Sequence, residues 1–194
     1  MDCLSDRAGS HHASMQGIGC VGAEVQRRSD VEQSEVARQL EHAVAAGRLS
    51  HALLFVGPNG SGREEMARRL SAGLICSHPC RGMGCLECNV CRRVLAGKHP
   101  DVHVLLSDEA ACRRGTWTPD RTNQKPSSEI RVGQVRELII QLQSYGFEGQ
   151  SRVAIIVDAH RMTAQAANAL LKMLEEPPPC TTIILLAPLQ RSVL

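Results

Sequence analysis

One stretch constrains the fold of this chain more than any other: "HALLFVGPNGSGREEMARRL", residues 51–70. A short apolar run ends in a glycine-rich turn, and the turn opens into a segment whose Met66, Ala67, Leu70 and Leu74 recur at helical spacing. Strand, glycine loop and helix in that order make a phosphate-binding loop. The working pattern, G-x-x-x-x-G-K-[ST], begins at Gly57 and reaches its second glycine at Gly62, with Gly60 inside the turn. The next two positions depart from it. Arg63 stands where a lysine would reach the β- and γ-phosphates, and Glu64 where a hydroxyl would hold Mg²⁺. Three readings stay open: a damaged ATPase, a chance match, or a fold kept for another purpose.

Context supports the loop. The positions Val36, Leu40, Ala43 and Val44 predict a helix that stops at Gly47, and "HALLFV" (51–56) predicts a buried strand. "DVHVLL" (101–106) predicts a second strand, followed by a long polar excursion that includes "TPDRTNQKPSS". Val135, Leu138, Ile139 and Leu142 then predict a helix, and "RVAIIVD" (152–158) a continuous apolar strand ending in Asp158. Met162, Ala166, Ala167, Leu170, Leu171 and Leu174 predict another helix, which the prolines of "EEPPP" must end, and "TTIILLA" (181–187) a last strand. Strands alternating with helices, the strands apolar throughout, call for an α/β fold with a parallel sheet covered on both faces. Residues 1–28, polar and without apolar period, are expected to be a disordered leader, and 29–194 the folded module. The chain stops seven residues after the last strand, so the reading frame is expected to be incomplete.

The residues at the loop argue against hydrolysis. Glu64 would place a carboxylate beside the phosphates of any nucleotide, and two like charges at about 4 Å cost about 4 kcal/mol at an effective dielectric of about 20. Arg63 keeps the positive charge, but a planar fork does not reproduce the compact lysine ammonium. Asp158 remains as a candidate Mg²⁺ ligand, with a strand-end cap as the alternative. Ala159 follows it where a water-orienting glutamate would be needed. Gly57, Gly60, Gly62, Arg63 and Asp158 therefore form a degenerate nucleotide site for which ATP and Mg²⁺ are doubtful ligands, and no intrinsic ATPase is expected.

The nine cysteines carry a second signal. Nothing resembles a secretory signal or the run of about eighteen apolar residues that a membrane helix needs, so the protein is expected to be cytoplasmic, where disulfides are rare. Cys76, Cys85, Cys88 and Cys91 follow C-x8-C-x2-C-x2-C within an insert at 76–91, a spacing that lets four thiolates converge on a tetrahedral zinc. Four protein ligands leave no open position, so the zinc is expected to be structural. Cys80 is an extra thiol, and Cys3, Cys20, Cys112 and Cys180 receive no role. His78, His99 and His103 are expected near the cluster but not as ligands. The net charge of +2 and an aromatic content of 2% exclude a global basic footprint and the stacking platforms of single-strand binders. Arg63, Arg68 and Arg69 are read as a solvated helix face.

In order along the chain, "GRLSHALLFVGPNGSGR", the cysteine pattern, "GKHPDVHVL", "IRVGQVRELI", "RVAIIVDAHRMTAQAANALLKMLEEPPP" and "TTIILLA" resemble the delta-prime family of bacterial DNA polymerase III clamp-loader subunits, over about Val31 to Leu194. The helix ending in "NALLKMLEEPPP" is the most discriminating piece. The resemblance implies an AAA+ P-loop module with a small zinc-binding insert, whose lid and collar domains are missing here. It implies a non-hydrolytic subunit that helps load the sliding clamp onto primed DNA, with gamma/tau and delta subunits as partners. The alternatives are an ATP-hydrolysing gamma/tau-type subunit or a truncated remnant. Three features depart from the family pattern. Pro188 and Leu189 lie where active members carry a polar sensor residue, "VEQ" (31–33) only partly matches the usual Val-Gly-Gln, and the family's Ser-Arg-Cys motif would lie beyond Leu194.

Overall fold

A computed structural model describes residues 33–116, 125–143 and 151–188. The expected leader, residues 117–124 of the polar excursion, and Leu189 lie outside the described residues. Four strands form one sheet: β1 (Ala52–Val56), β2 (Val102–Leu105), β3 (Arg152–Ile156) and β4 (Thr181–Ala187). Their order is β1-β4-β3-β2 and every pairing is parallel, as the alternation of strands and helices requires.

The apolar strands split by the two-residue period of the pleat into two cores. Val153, Ile155, Ile184 and Leu186 face one side and join helices α1 (Gln33–Ala45) and α2 (Arg63–Ile75), through Leu40, Ala67 and Leu70. Ala154, Ile156, Ile183 and Leu185 face the other and join α5 (Val132–Gln143) and α6 (Ala164–Glu175), through Val135, Leu142, Ala166 and Leu170. A run without polar alternation is thus explained at β3 and β4, which are covered on both faces.

β1 corrects the expectation of a buried strand. It pairs only with β4, and among the described residues nothing covers its outer side, so Leu54 and Val56 are 40% and 43% exposed. Val36 of α1 and Leu171 of α6, both counted in apolar stripes from the sequence, are also half exposed. Two short helices escaped the periodicity. α3 (Asn89–Leu95) lies inside and beyond the cysteine pattern, and α4 (Asp108–Arg113) follows β2, capped by Ser107, whose hydroxyl accepts the Ala110 N–H at 3.3 Å.

Parallel pairing puts all carboxyl ends of the strands on one edge of the sheet. The register pairs Val56 with Ala187, and Ile156 with both Leu185 and Leu105. The glycine loop, Asp158, Pro188 and the β2–α4 connection therefore gather along one rim, where open α/β sheets place their ligands.

A phosphate loop and a cysteine cluster at the two ends of one helix

α2 begins at the glycine loop and ends at the first cysteine. Gly62 caps its start with φ 77°, a left-handed conformation that glycine adopts without strain, and it brings no side chain to the exposed N–H groups of the first turn. Glu64 and Glu65 sit in that turn, a favourable place for carboxylates beside the helix dipole.

The Glu64 carboxylate at the loop is paired by the protein's own arginines. Arg63 folds back over Gly57, and its Nη2 donates to Asn59 Oδ1 at 3.1 Å. Glu64 accepts two parallel hydrogen bonds from Arg114, at 2.7 and 2.8 Å, and a third from Arg68 at 3.0 Å. Burial by itself would raise the Glu64 carboxyl, but the hydrogen bonds and charges of Arg114 and Arg68 outweigh it and hold the group below its ordinary value of 4.5. The Arg114 guanidinium is held charged more firmly in turn, first by its bonds to Glu64 and, at longer range, by the charge of Asp158.

Asp158 has φ 53°, a conformation that Asp tolerates better than most residues and that marks functional or tightly fixed positions. It precedes a single 3-10 turn (Ala159–Arg161), but its side chain caps nothing there; the turn is closed by its backbone carbonyl, which accepts the Arg161 N–H at 2.8 Å. Ala159 is 2% exposed and offers no group to take a proton from water. Gly57, Gly60, Gly62, Arg63 and Asp158 thus share the rim. The sequence did not reveal Arg114, Asn59, or the groove of about 470 Å³ beside the loop, walled by Val36, Leu54, Phe55, Val56 and Met66. Arg68, read as part of a solvated face, is 16% exposed and engaged by Glu64 and the Val94 carbonyl.

At the other end, Cys76 is the C-cap of α2 and is buried with Cys91, while Cys85 and Cys88 are half-buried. The four Sγ atoms all lie within 4.8 Å of one another. Cys76 is 3.7 Å from Cys85 and 3.8 Å from Cys88, and Cys85 is 3.8 Å from Cys91. A tetrahedron with metal–sulfur bonds of about 2.3 Å has edges of about 3.8 Å, so the donor set fits a metal ion of zinc's size and preference. Backbone N–H groups of His78, Cys88 and Cys91 donate to Cys76, Cys85 and Cys88 respectively, the kind of donor that steadies a thiolate. The bond from Cys88 lowers the Cys85 thiol to about 7, whereas burial pushes Cys76 and Cys91 up. A cluster of thiols that cannot all ionise together is what a cation resolves.

The cluster is docked on α2 by close backbone approach. A Cβ on Gly73 would lie 2.2 Å from the Gly82 carbonyl oxygen, and Gly84 donates its N–H to the Arg69 carbonyl at 3.3 Å. Among the described residues the clustered donor set consists of the four cysteines. His99 is buried and its Nδ1 accepts the Asp101 N–H at 3.1 Å, and His103 sits on β2 with its imidazole lowered by burial.

Comparisons with known proteins show the family. The family described as "DNA polymerase III, delta subunit" matches residues 32–194. The DNA polymerase III subunit delta' of Yersinia pestis is 38% identical over 148 residues, which are 76% of this chain and 39% of that protein. The corresponding subunit of Pseudomonas aeruginosa is 35% identical over 154 residues, 79% of this chain and 40% of its own length. The tau subunit of Escherichia coli is 32% identical over 148 residues, 76% and 20% respectively. The chain thus spans about two fifths of the length of the delta' relatives it matches. No helix among the described residues is long and apolar enough to cross a membrane. The chain belongs to the DNA polymerase III delta subunit family.

Proposed function

From that membership we propose that the chain serves as a non-hydrolytic, delta-prime-type subunit of the DNA polymerase III clamp loader. In that role it organises gamma/tau and delta subunits in the cytoplasm while they turn over ATP and place the sliding clamp on primed DNA. One observation carries the hydrolytic silence. The residue at the Mg²⁺-holding position of the loop is a carboxylate, and it is engaged by three hydrogen bonds from Arg114 and Arg68. Ala159, buried directly after Asp158, offers no group to orient an attacking water. The matches to delta' proteins support this reading over an ATP-hydrolysing gamma/tau-type subunit.

We further propose that Cys76, Cys85, Cys88 and Cys91 hold a structural Zn²⁺. All four positions of the ion would be filled by thiolates, so the metal would bind no substrate and would fix the insert against α2.

Assembly is tested by mixing this protein with purified gamma and delta subunits and analysing the mixture by size-exclusion chromatography. Co-elution in a stoichiometric complex is the expected result. Separate elution of all three, using a chain extended to the length of the delta' relatives, would overturn the proposal.

A further inference from the structure

Arg114 lies 50 residues beyond Glu64, yet its guanidinium meets the carboxylate with two short, parallel bonds. Such a fork-to-fork pair is among the stronger hydrogen-bonded arrangements open to charged side chains. The pair is also fixed from behind. Arg114 is the C-cap of α4, its own N–H donates to the Ala110 and Ala111 carbonyls, and Gly115 and Thr116 close the helix end with bonds to Cys112 and Ala111. The start of α4 is held by Asp108, which accepts from the Ser127 N–H at 3.2 Å and from Gln134 Nε2 at 3.0 Å.

The location gives the pair its meaning. Glu64 occupies the loop position that would hold the divalent cation, and Asp158 is the carboxylate at the end of β3. Without a cation, two carboxylates on one rim repel; Arg114 interacts with both. Meanwhile Arg63, the loop's own cation, donates to the exposed Asn59 within the loop.

We infer that Arg114 is a built-in substitute for the divalent cation: by bridging the first turn of α2 to the end of α4, it latches the phosphate loop closed with neither metal nor nucleotide bound. The inference rests on the reading of the loop as hydrolytically silent and adds how its geometry persists without a ligand. Here the cation that holds the loop is a side chain of the same chain, bound to Glu64 by a noncovalent two-pronged contact.

Amide hydrogen exchange read by mass spectrometry tests it, on peptides spanning Gly57–Met66, in the whole chain without nucleotide. Arg114→Ala and Glu64→Gln should each speed exchange in those peptides about tenfold. The double variant should be no faster than the faster single, because both remove one interaction. Arg114→Lys should fall between, since an ammonium cannot make the two-pronged contact. Peptides covering Val153–Ile156 report the core. Loop exchange unchanged in Arg114→Ala, multiplicative effects in the double variant, or a rise confined to the core peptides would each overturn the latch. Slower loop exchange in the unmodified chain on adding Mg²⁺–ATP would overturn it too. Steady ATP turnover by the same chain instead overturns the silent-site reading, and it is measured separately from the nucleotide-free exchange.

Discussion

The two ends of α2 differ in how they handle charge. At its C-terminal end, four thiols converge, three of their pairs 3.7–3.8 Å apart, with pKa values pulled in opposite directions, an arrangement suited to a cation. At its N-terminal end, a loop shaped for phosphate has its carboxylate already paired with Arg114 and Arg68, while Arg63 bonds the neutral Asn59 amide. The first site asks for a ligand; the second has replaced one. Donor geometry alone does not distinguish a working site from an inherited shape. Whether the charges are already neutralised does.

The contrast can be broken most forcefully at the cysteine end. Cys85→Ala should reduce bound zinc from about one per chain to near zero by atomic absorption and cost about 3–5 kcal/mol in urea unfolding, because structural zinc contributes folding free energy outright. Retention of full zinc and stability would show that the four thiols are only a cluster. Gly73→Ala tests the docking of that insert on α2. The added methyl collides with the Gly82 carbonyl at 2.2 Å, and the expected loss is about 2–3 kcal/mol, with zinc content preserved.

At the loop end the effects are smaller. Arg114→Ala should cost about 1 kcal/mol, since the pair is 37% and 28% exposed and solvent screens it. Smallest is the pH dependence. Glu64 titrates lower in the folded chain than its ordinary 4.5, so the unfolded chain takes up the proton first. The pair's contribution is complete above that value and drains away as pH falls through the lowered folded one. The stability difference between the unmodified chain and Glu64→Gln should therefore be constant near neutrality and shrink below pH 4.5, measured by urea unfolding across that range.

Legibility in the sequence followed the range of the interactions. β3 and β4 could be read because an unbroken apolar run must be buried on both faces, and both central strands are. The same logic failed for "HALLFV", since an apolar run does not reveal that its strand lies at an edge with Leu54 and Val56 outward. α4 hid because six residues give no period, and its visible signal was the Ser107 cap. The cysteine cluster was legible because its spacing is local and α3 simply carries Cys91 back toward Cys88. Arg114 was not, because its meeting with Glu64 depends on where the β2–α4 connection falls along the rim. What the sequence offered was only the demand: a carboxylate at Glu64 needed a cation from somewhere.

The central claim is that this loop keeps the shape of a nucleotide site without its chemistry. A coupled assay of ATP turnover with Mg²⁺, on the purified chain and on Asp158→Ala, addresses it directly. The account predicts no turnover above buffer for either protein. Turnover by the unmodified chain that Asp158→Ala abolishes would contradict it.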